Sequence, residues 1–567
     1  MSHIMKFKIV SSTCNSNVDI RSLSSAVPCQ SIRSRLAGCA SIALLAGSIS
    51  LASANADREF ERLSLQDVIT RALENNYEIQ IERINPEIQS ERIMTAQSAF
   101  DLRLNASYNY ESSRSPQNAQ EYVSTGGGTG TSGGFGAGNL TGLSTAVLDE
   151  PSIFVALNQI SKIALVKKFS LGTVAELSTV HSRLDNSLNR DSAAALFHPE
   201  YETYTGLTVT QPLLQGFGHD ANLAEIRIAR SNHKLADLEW RSRTSGLVGQ
   251  SMKRYYDVVF AYENMEIQKD AIGLAEKLLE DNRKRSAEGV VPPNDVYLAE
   301  AAVFVRREKA LIAESEYMER QNALQLLYKS VDDVGEVLSV LPTDSLSDEV
   351  DVPARSDLLD QAWRDRYDLL QAREVVNQRG HQTAYAKNQV KPRLDLIGSA
   401  GLSGLAANTR NSYGEANRRQ GSEWVIGVTF SVPFSFERQK AQLRAARRQE
   451  DQARIDVQRV KTQVSLEIDT VLSRLRLDKQ RVETARQSRE VARKTLDGES
   501  MRLEEGLTTS YRVLEYQKEY SQTRSREVAA LADLNKGIVD LWLMTSQVLS
   551  RRSIVVEGAT NYSKDSI

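Results

Sequence analysis

Cysteine is almost missing from this chain. Of 567 residues three are cysteine, Cys14, Cys29 and Cys39. All three lie in an amino-terminal leader, so the rest of the chain can depend on neither disulfides nor thiolate metal sites. Proline is scarce too: 12 occur, and none falls in 219–288, in 294–330 or between Ser435 and Arg551, which frees three long segments of the strongest helix breaker. Aromatic residues make up 6% and charged residues 25%, a balance that suits long solvent-washed helices better than several thick globular cores. Beyond the leader there is no long apolar run, and no basic block suited to nucleic acid. The six histidines, His3, His181, His198, His219, His233 and His381, are scattered, without the close pairing a metal site needs. Gly128-Thr129-Gly130-Thr131-Ser132-Gly133 matches a dinucleotide fingerprint, but it sits in the low-complexity stretch Thr125 to Gly138 with no strand before it and no helix after it. No catalytic constellation emerges, so the expectation is a protein that is not an enzyme and carries no cofactor or metal.

What is present begins with the leader. Lys6, Lys8, Arg21, Arg33 and Arg35 precede an apolar run from Leu36 to Leu51, which ends in Ala54-Asn55-Ala56. That order reads as a secretory signal over residues 1–56, its apolar run short of the roughly 20 residues that span a membrane. Loss of its five cations and Asp19 takes the net charge from -3 to about -7.

The chain then says part of itself twice. Gly206-Leu207-Thr208-Val209-Thr210-Gln211-Pro212-Leu213 is answered by Gly427-Val428-Thr429-Phe430-Ser431-Val432-Pro433-Phe434, and Arg285-Ser286-Ala287-Glu288-Gly289-Val290 by Arg502-Leu503-Glu504-Glu505-Gly506-Leu507. Each copy reads strand, long helix, tight turn, long helix. The proline-free stretches are rich in strong helix formers. Within them Val464, Ile468, Val471, Leu472 and Leu475 trace one narrow apolar seam, and His219 to Glu288 as a single helix would span about 105 Å. Two such antiparallel hairpins predict a coiled-coil-like column.

The strands have another grammar. Leu102, Leu104, Ala106, Tyr108 and Tyr110 alternate with polar residues, as do Leu207 and Val209, then Leu394 to Leu402, then Trp424 to Val432. A soluble antiparallel sheet alternates in the same way, so the strands alone leave both readings open. The secretory leader favours a transmembrane barrel, and because four strands cannot close one, several chains must share it. Pro212 and Pro433 stand where each copy leaves the wall, since proline has no amide hydrogen for the ladder. The insertion 111–200 separates the first two strands, and 163–184, around Leu171-Gly172-Thr173, alternates enough to suggest an extra hairpin. The corresponding loop of the second copy, Ser403 to Ser422, is short and polar.

From about Leu63 to Leu549 the chain resembles the TolC-like outer membrane efflux proteins. The resemblance is carried by Ala72-Leu73-Glu74-Asn75-Asn76-Tyr77-Glu78-Ile79, its counterpart Arg366-Tyr367-Asp368-Leu369, and the junction Gln211-Pro212-Leu213-Leu214-Gln215-Gly216-Phe217-Gly218. Both copies place Tyr where that family usually has Pro. The resemblance implies a mixed α/β membrane protein, a homotrimer whose shared outer-membrane β-barrel, four strands per chain, continues into a long α-helical coiled-coil tunnel through the periplasm. The divisions it suggests are the signal 1–56, a first repeat 57–330, a linker 331–360, a second repeat 361–549 and a polar tail 550–567. It also implies a passive exit duct in the outer membrane of a Gram-negative-type cell, serving tripartite efflux or type I secretion. Its partners would be a periplasmic adaptor and an inner-membrane transporter of RND, ABC or MFS type, with outer-membrane lipid around the barrel. A periplasmic adaptor, or an exported coiled-coil scaffold without transport activity, is the alternative; the two hairpins and the proline-ended strands argue against each.

The same resemblance makes the Gly289 and Gly506 turns the periplasmic tips. Gly289, Val290, Gly506 and Leu507 are then the expected adaptor-docking residues. Asp295 takes the place of an acidic residue ringing the aperture, but its second-copy equivalent is Arg512, with Glu515 a turn further on. Arg512 is therefore expected to pair with Asp295 or Glu515 in the closed state.

Overall fold

A computed structural model of the chain describes residues 60–116, 153–187, 196–329, 339–349, 352–419 and 421–556. The segment expected to be a secretory leader, the Gly/Thr/Ser stretch Thr125 to Gly138 and the end of the polar tail lie outside the described residues. Two compact units cut across the two sequence halves. Of the described residues, one gathers those up to Ile81, those within Arg241–Arg366 and those from Val464 onward; the other gathers those within Glu82–Trp240 and Tyr367–Gln463.

The first unit is helical around a small sheet. Strand β1 (Phe60–Leu63) runs parallel to β6 (Ser339–Pro342). Helix α1 (Leu65–Asn75) starts on a capping box, in which Asp67 N–H donates to Ser64 Oγ at 3.2 Å and Ser64 N–H donates back to Asp67 Oδ2 at 3.0 Å. The unit also holds most of α4 (Ala224–Ala287), α5 (Pro293–Gln325), α6 (Arg355–Asp365), the later part of α9 (Glu437–Glu504), α10 (Ser510–Met544) and α11 (Val548–Arg551). The expected seam is there. Val464, Ile468 and Leu475 are buried while Val471 and Leu472 are half-buried, and the charged residues between them stay wet. Two buried tyrosines fasten the helices to the little sheet. Tyr255 OH lies 3.2 Å from Leu63 O, and Tyr317 OH donates to Val340 O, a carbonyl that Gln321 Nε2 also reaches at 3.0 Å.

Glu263, half-buried on α4, is held above the ordinary carboxylate range, first by burial and then by the nearby charge of Glu527. Glu527 keeps its own charge company with Arg489 Nη1 at 2.9 Å and Arg486 Nε at 3.8 Å. A carboxyl whose folded pKa is raised binds its proton more tightly in the native state, so stability falls as pH rises from its ordinary value, near 4.5, through the raised one. Glu263→Gln is expected to flatten this fall and leave the protein more stable at neutral pH. Urea unfolding between about pH 4 and pH 7 tests it, and an unchanged pH slope in the variant would refute the assignment.

The second unit is built on one sheet. Strands β2 (Arg103–Pro116), β3 (Ile153–Lys168), β4 (Val174–Leu184), β5 (Glu200–Pro212), β7 (Arg393–Ala406) and β8 (Gly421–Ser431) lie in that order, every neighbouring pair antiparallel. The sheet has six strands where four wall strands per chain were expected. The extra hairpin starts earlier than its alternation suggested, at Ile153, and both its strands are zipped into the sheet between β2 and β5. The sheet is open, with β2 and β8 at its edges. The unit also holds α2 (Tyr77–Gln97, from Glu82 on), α3 (His219–Asn222), the start of α4, α7 (Tyr367–Gln389), α8 (Thr409–Asn417) and the start of α9.

Three further expectations change in detail. The helix expected from His219 is interrupted at Leu223, because Asn222 Nδ2 turns back to Gly216 O at 2.6 Å and Gly218 O at 3.1 Å, tying the first turn to the junction. Within the loop Ser403 to Ser422, β7 runs on to Ala406 and α8 forms behind an Asn408 cap, whose Oδ1 accepts from Asn411 N–H at 2.9 Å. Tyr77 and Tyr367 each open a helix after one extended residue, Asn76 (ψ 119°) and Arg366 (ψ 126°), the break that a proline would otherwise impose.

Candidate functional site

The sheet has two chemically distinct faces. Direct cross-strand partners share a face. Following the register therefore gathers Leu104, Ala106, Tyr108 and Tyr110 of β2 with Ile163 and Leu165 of β3, and with Ala175 and Leu177 of β4. The same face continues through Leu207 and Val209 of β5, Leu396 to Leu402 of β7, and Trp424, Ile426, Val428 and Phe430 of β8. This is a continuous apolar band across all six strands, and it is bare. Leu104 is 66% exposed, Trp424 74% and Phe430 61%. A band of this breadth far exceeds what a monomer leaves in water, and it is the outward pattern of a membrane-spanning strand.

The opposite face is mainly polar. It carries Arg103, Asn105, Ser107 and Asn109 on β2, an ion pair from Lys162 Nζ to Glu176 Oε1 at 2.9 Å, and Asn158 Nδ2 donating to Glu111 Oε2 at 3.1 Å. Glycines fit one large side chain into it: a Cβ at Gly206 or Gly401 would come within 2.5 Å of the Tyr204 hydroxyl oxygen. Pro212 closes β5, opposite Asp395, and Pro433 stands two residues past the end of β8. Each proline therefore marks the last rungs of its strand.

Where the band ends, toward the β7–β8 connection, α8 lies on the same face. Ser412 Oγ is 2.8 Å from Thr203 Oγ1 and 2.9 Å from Gly404 O, all buried. The His181 ring stacks between those of Tyr201 and Tyr413, with Nδ1 3.0 Å from Thr203 Oγ1 and Nε2 3.2 Å from Thr409 Oγ1. Sequence reasoning passed over this cluster. The signal was Asn408 followed by Ser412 and Ala416, two small residues one turn apart on one helix face.

The helical tips belong to the other unit. Gly289 (φ 76°) and Gly506 (φ 74°) take the left-handed conformation that ends a helix, and the turns share one hydrogen-bond pattern. Gly289 N–H donates to Ser286 O and Val290 N–H to Arg285 O; Gly506 N–H donates to Leu503 O and Leu507 N–H to Arg502 O. Val290 and Leu507 are exposed. Arg285 Nη1 joins the hairpins by donating to Leu503 O at 2.7 Å, above a cluster of Leu278, Leu496, Leu503 and Val513. Buried Asn282 adds a second tie, donating to Asp295 O at 3.3 Å and accepting from Ser510 Oγ at 2.9 Å.

Within this single chain Arg512 faces another carboxylate than the two expected for the closed state. Its Nε faces Glu499 Oε1 at 3.9 Å, while Glu515 is engaged by Lys518 at 2.6 Å. Arg512 sits in the first turn of α10, and that turn packs against α9. Glu499 is buried there, with Arg502 Nη1 at 3.4 Å and Thr508 Oγ1 also donating to it, so it is the counter-charge within reach.

Among the described residues, no group of three or more His, Cys, Asp or Glu is placed to hold a metal ion. No described helix is long and apolar enough to cross a membrane, which says nothing of strands. A sheet with a bare apolar band and a polar back, in a chain that also carries long helical hairpins, has the two-faced pattern that transmembrane strands require.

The chain belongs to the outer membrane efflux protein family, whose pattern it matches over 170–328 and 358–544, more than half of its length. Its fold is that of the TolC-like channels. It is similar to a membrane protein from Pseudomonas aeruginosa, with 16% identity over 85% of this chain and 90% of that one and a TM-score of 0.59. It is also similar to the CmeC outer membrane channel of Campylobacter jejuni (17% identity, 86% and 89% covered, TM-score 0.57). The outer membrane protein VceC of Vibrio cholerae is comparable (16% identity, 85% and 95% covered, TM-score 0.58). No curated protein sequence matches. The family is one of transport ducts rather than of enzymes.

Proposed function

We propose that this protein is the outer-membrane exit duct of a tripartite efflux or type I secretion system. It conducts substrate passively from a periplasmic adaptor and an inner-membrane pump to the exterior. The observation that carries the reading is the open two-faced sheet. Its exposed apolar band suits lipid, its polar back suits a water-filled lumen, and its two edges carry backbone groups that lipid cannot satisfy, at several kcal/mol each, unless further copies close the wall. A homotrimer, the number that the family resemblance implies, would close it. Detergent-purified protein should run as an intact oligomer and give discrete conductance steps in a planar bilayer; a monomer without conductance would turn the reading toward an adaptor or scaffold.

In this reading the Gly289, Val290, Gly506 and Leu507 turns are the ends that dock the adaptor. Asp295, Arg512 and Glu515 rim the aperture, with Arg512 leaning on Glu499. Arg512→Ala leaves Glu499 to Arg502 and Thr508 and removes a cation from the mouth. With that cation gone a permeating cation meets less repulsion at the mouth, so cation leak is expected to rise. Unchanged single-channel conductance would remove Arg512 from the aperture.

A further inference from the structure

We infer that the hairpin β3–β4 is a structural part of the membrane wall. Each chain then contributes six strands to a barrel closed by pairing its β2 edge with the β8 edge of another copy, and three copies make eighteen strands where the family resemblance implies twelve. This rests on the oligomeric-duct reading and adds to it the width of the pore. Three observations carry it. First, β3 pairs with β2 from Arg103↔Val166 to Pro116↔Ile153 and β4 pairs with β5 from Val174↔Thr210 to Leu184↔Glu200, so β2 and β5 are nowhere in direct register. Second, the two-faced pattern continues into the half of the hairpin next to its turn, with Ile163, Leu165 and Leu177 in the apolar band and the Lys162–Glu176 pair on the polar face. A hairpin folded over the lumen or lying outside the wall would have no reason to keep both faces in phase with its neighbours. Third, its turn is built into the base of the wall. Gly172 has φ 98°, and a Cβ there would stand 2.4 Å from Gly216 O and 2.9 Å from Pro212 Cγ; Thr173 Oγ1 meets Gln211 Oε1, and Gly218 N–H donates to Leu171 O at 3.1 Å.

The hairpin turns back within residues 169–173 and sends no helix onward, so it widens the barrel without adding to the helices. Barrel diameter grows roughly linearly with strand number. At equal tilt the lumen is therefore about 1.5 times as wide as with twelve strands, in the size class of barrels that hold an aqueous channel. The solutes that such an exit admits are correspondingly bulkier.

The absence of cysteine after the leader makes the test direct. Paired cysteines are introduced as Ala106→Cys with Ile163→Cys, Thr179→Cys with Thr205→Cys, and Ala106→Cys with Ile426→Cys or Val428→Cys, and bridged in membranes with a short bifunctional thiol reagent. The first two pairs are expected to link within one chain, and the third to give covalent ladders up to the oligomer, all reversed when a cleavable reagent is cut. Linking of Ala106→Cys to Leu207→Cys within one chain, with no link to Ile163→Cys, would mean that β2 meets β5 directly and the hairpin lies outside the wall, which overturns the proposal. Intra-chain links without any ladder, in protein whose intact mass is one chain, would overturn it for a different reason, the failure of the oligomeric reading itself.

Discussion

Gly404→Leu is expected to lift α8 off the sheet and lower the unfolding midpoint of the strand unit sharply. Even a single Cβ at this position would lie 2.2 Å from Ser412 O, 2.5 Å from Ala416 N and 3.1 Å from Ala416 Cα. These are backbone atoms of a helix and have no rotamer into which to retreat, so α8 as a whole must move. Overpacking of this kind costs about 1–3 kcal/mol. Displacing α8 also separates Ser412 from Thr203 and opens the His181 stack between Tyr201 and Tyr413. Each buried hydroxyl left without a partner adds about 1–3 kcal/mol. Gly414, on the same helix, has open space around its Cα, and alanine there should be neutral or stabilising by up to about 1 kcal/mol. Thermal unfolding followed by circular dichroism compares the two. If Gly404→Leu melts with the parent while Gly414→Ala also does, α8 is not held by its close approach to Gly404.

The contrast between these two glycines also shows where the sequence is legible. Turn glycines announce themselves, because Gly289 and Gly506 interrupt proline-free helical stretches at matching places and each adopts positive φ. Gly404 falls in the stretch that reads as a short polar loop, where a glycine carries no signal; only the extension of β7 to Ala406 and the approach of α8 give it meaning. The same distinction separates the helices from the wall. A narrow seam such as Val464, Ile468 and Leu475 follows from local spacing and is readable as such. Alternation around Leu171-Gly172-Thr173 announces a hairpin but cannot say which strands will flank it, since register and neighbour choice are long-range decisions. That is why the sequence leads to four wall strands and the sheet has six. Arg512 fails to meet Asp295 or Glu515 for a related reason: position along the helix fixes its place at the turn, whereas the facing helix α9 supplies buried Glu499.

The other large effect is expected at Tyr255, which fastens α4 to the two-stranded sheet of the helical unit. The ring is fully buried, among the largest side chains shut away in the protein. Its hydroxyl lies 3.0 Å from Asp344 Oδ2 and 3.2 Å from Leu63 O, and accepts from Asp344 N–H at 3.1 Å. Asp344 Oδ2 also accepts from Leu65 N–H at 2.6 Å, at the start of α1, so one phenol ties together β1, α1 and the segment after β6. Tyr255→Ala removes the ring and the ties together, and about 3–5 kcal/mol is expected from the cavity alone. Tyr255→Phe keeps the packing and strands the Asp344 amide, at about 1–3 kcal/mol. A pH signature separates the two contributions. Burial, as the largest cause, pushes the phenol up to about 12 from an ordinary 10.0. A group whose folded pKa is raised lends stability that is whole below its unfolded value and lost as pH climbs through the folded one. The parent protein should therefore lose stability progressively between about pH 10 and pH 12. Tyr317 and Tyr328, also pushed up to about 12, contribute to the same fall. In Tyr255→Phe the fall should be shallower while Tyr317 and Tyr328 maintain the remainder. Denaturant unfolding at neutral pH and across the alkaline range reads both effects. A Phe variant with the parent's full alkaline slope would show that the hydroxyl is not the titrating clamp, and an Ala variant within about 1 kcal/mol of the parent would show that the ring is not the keystone.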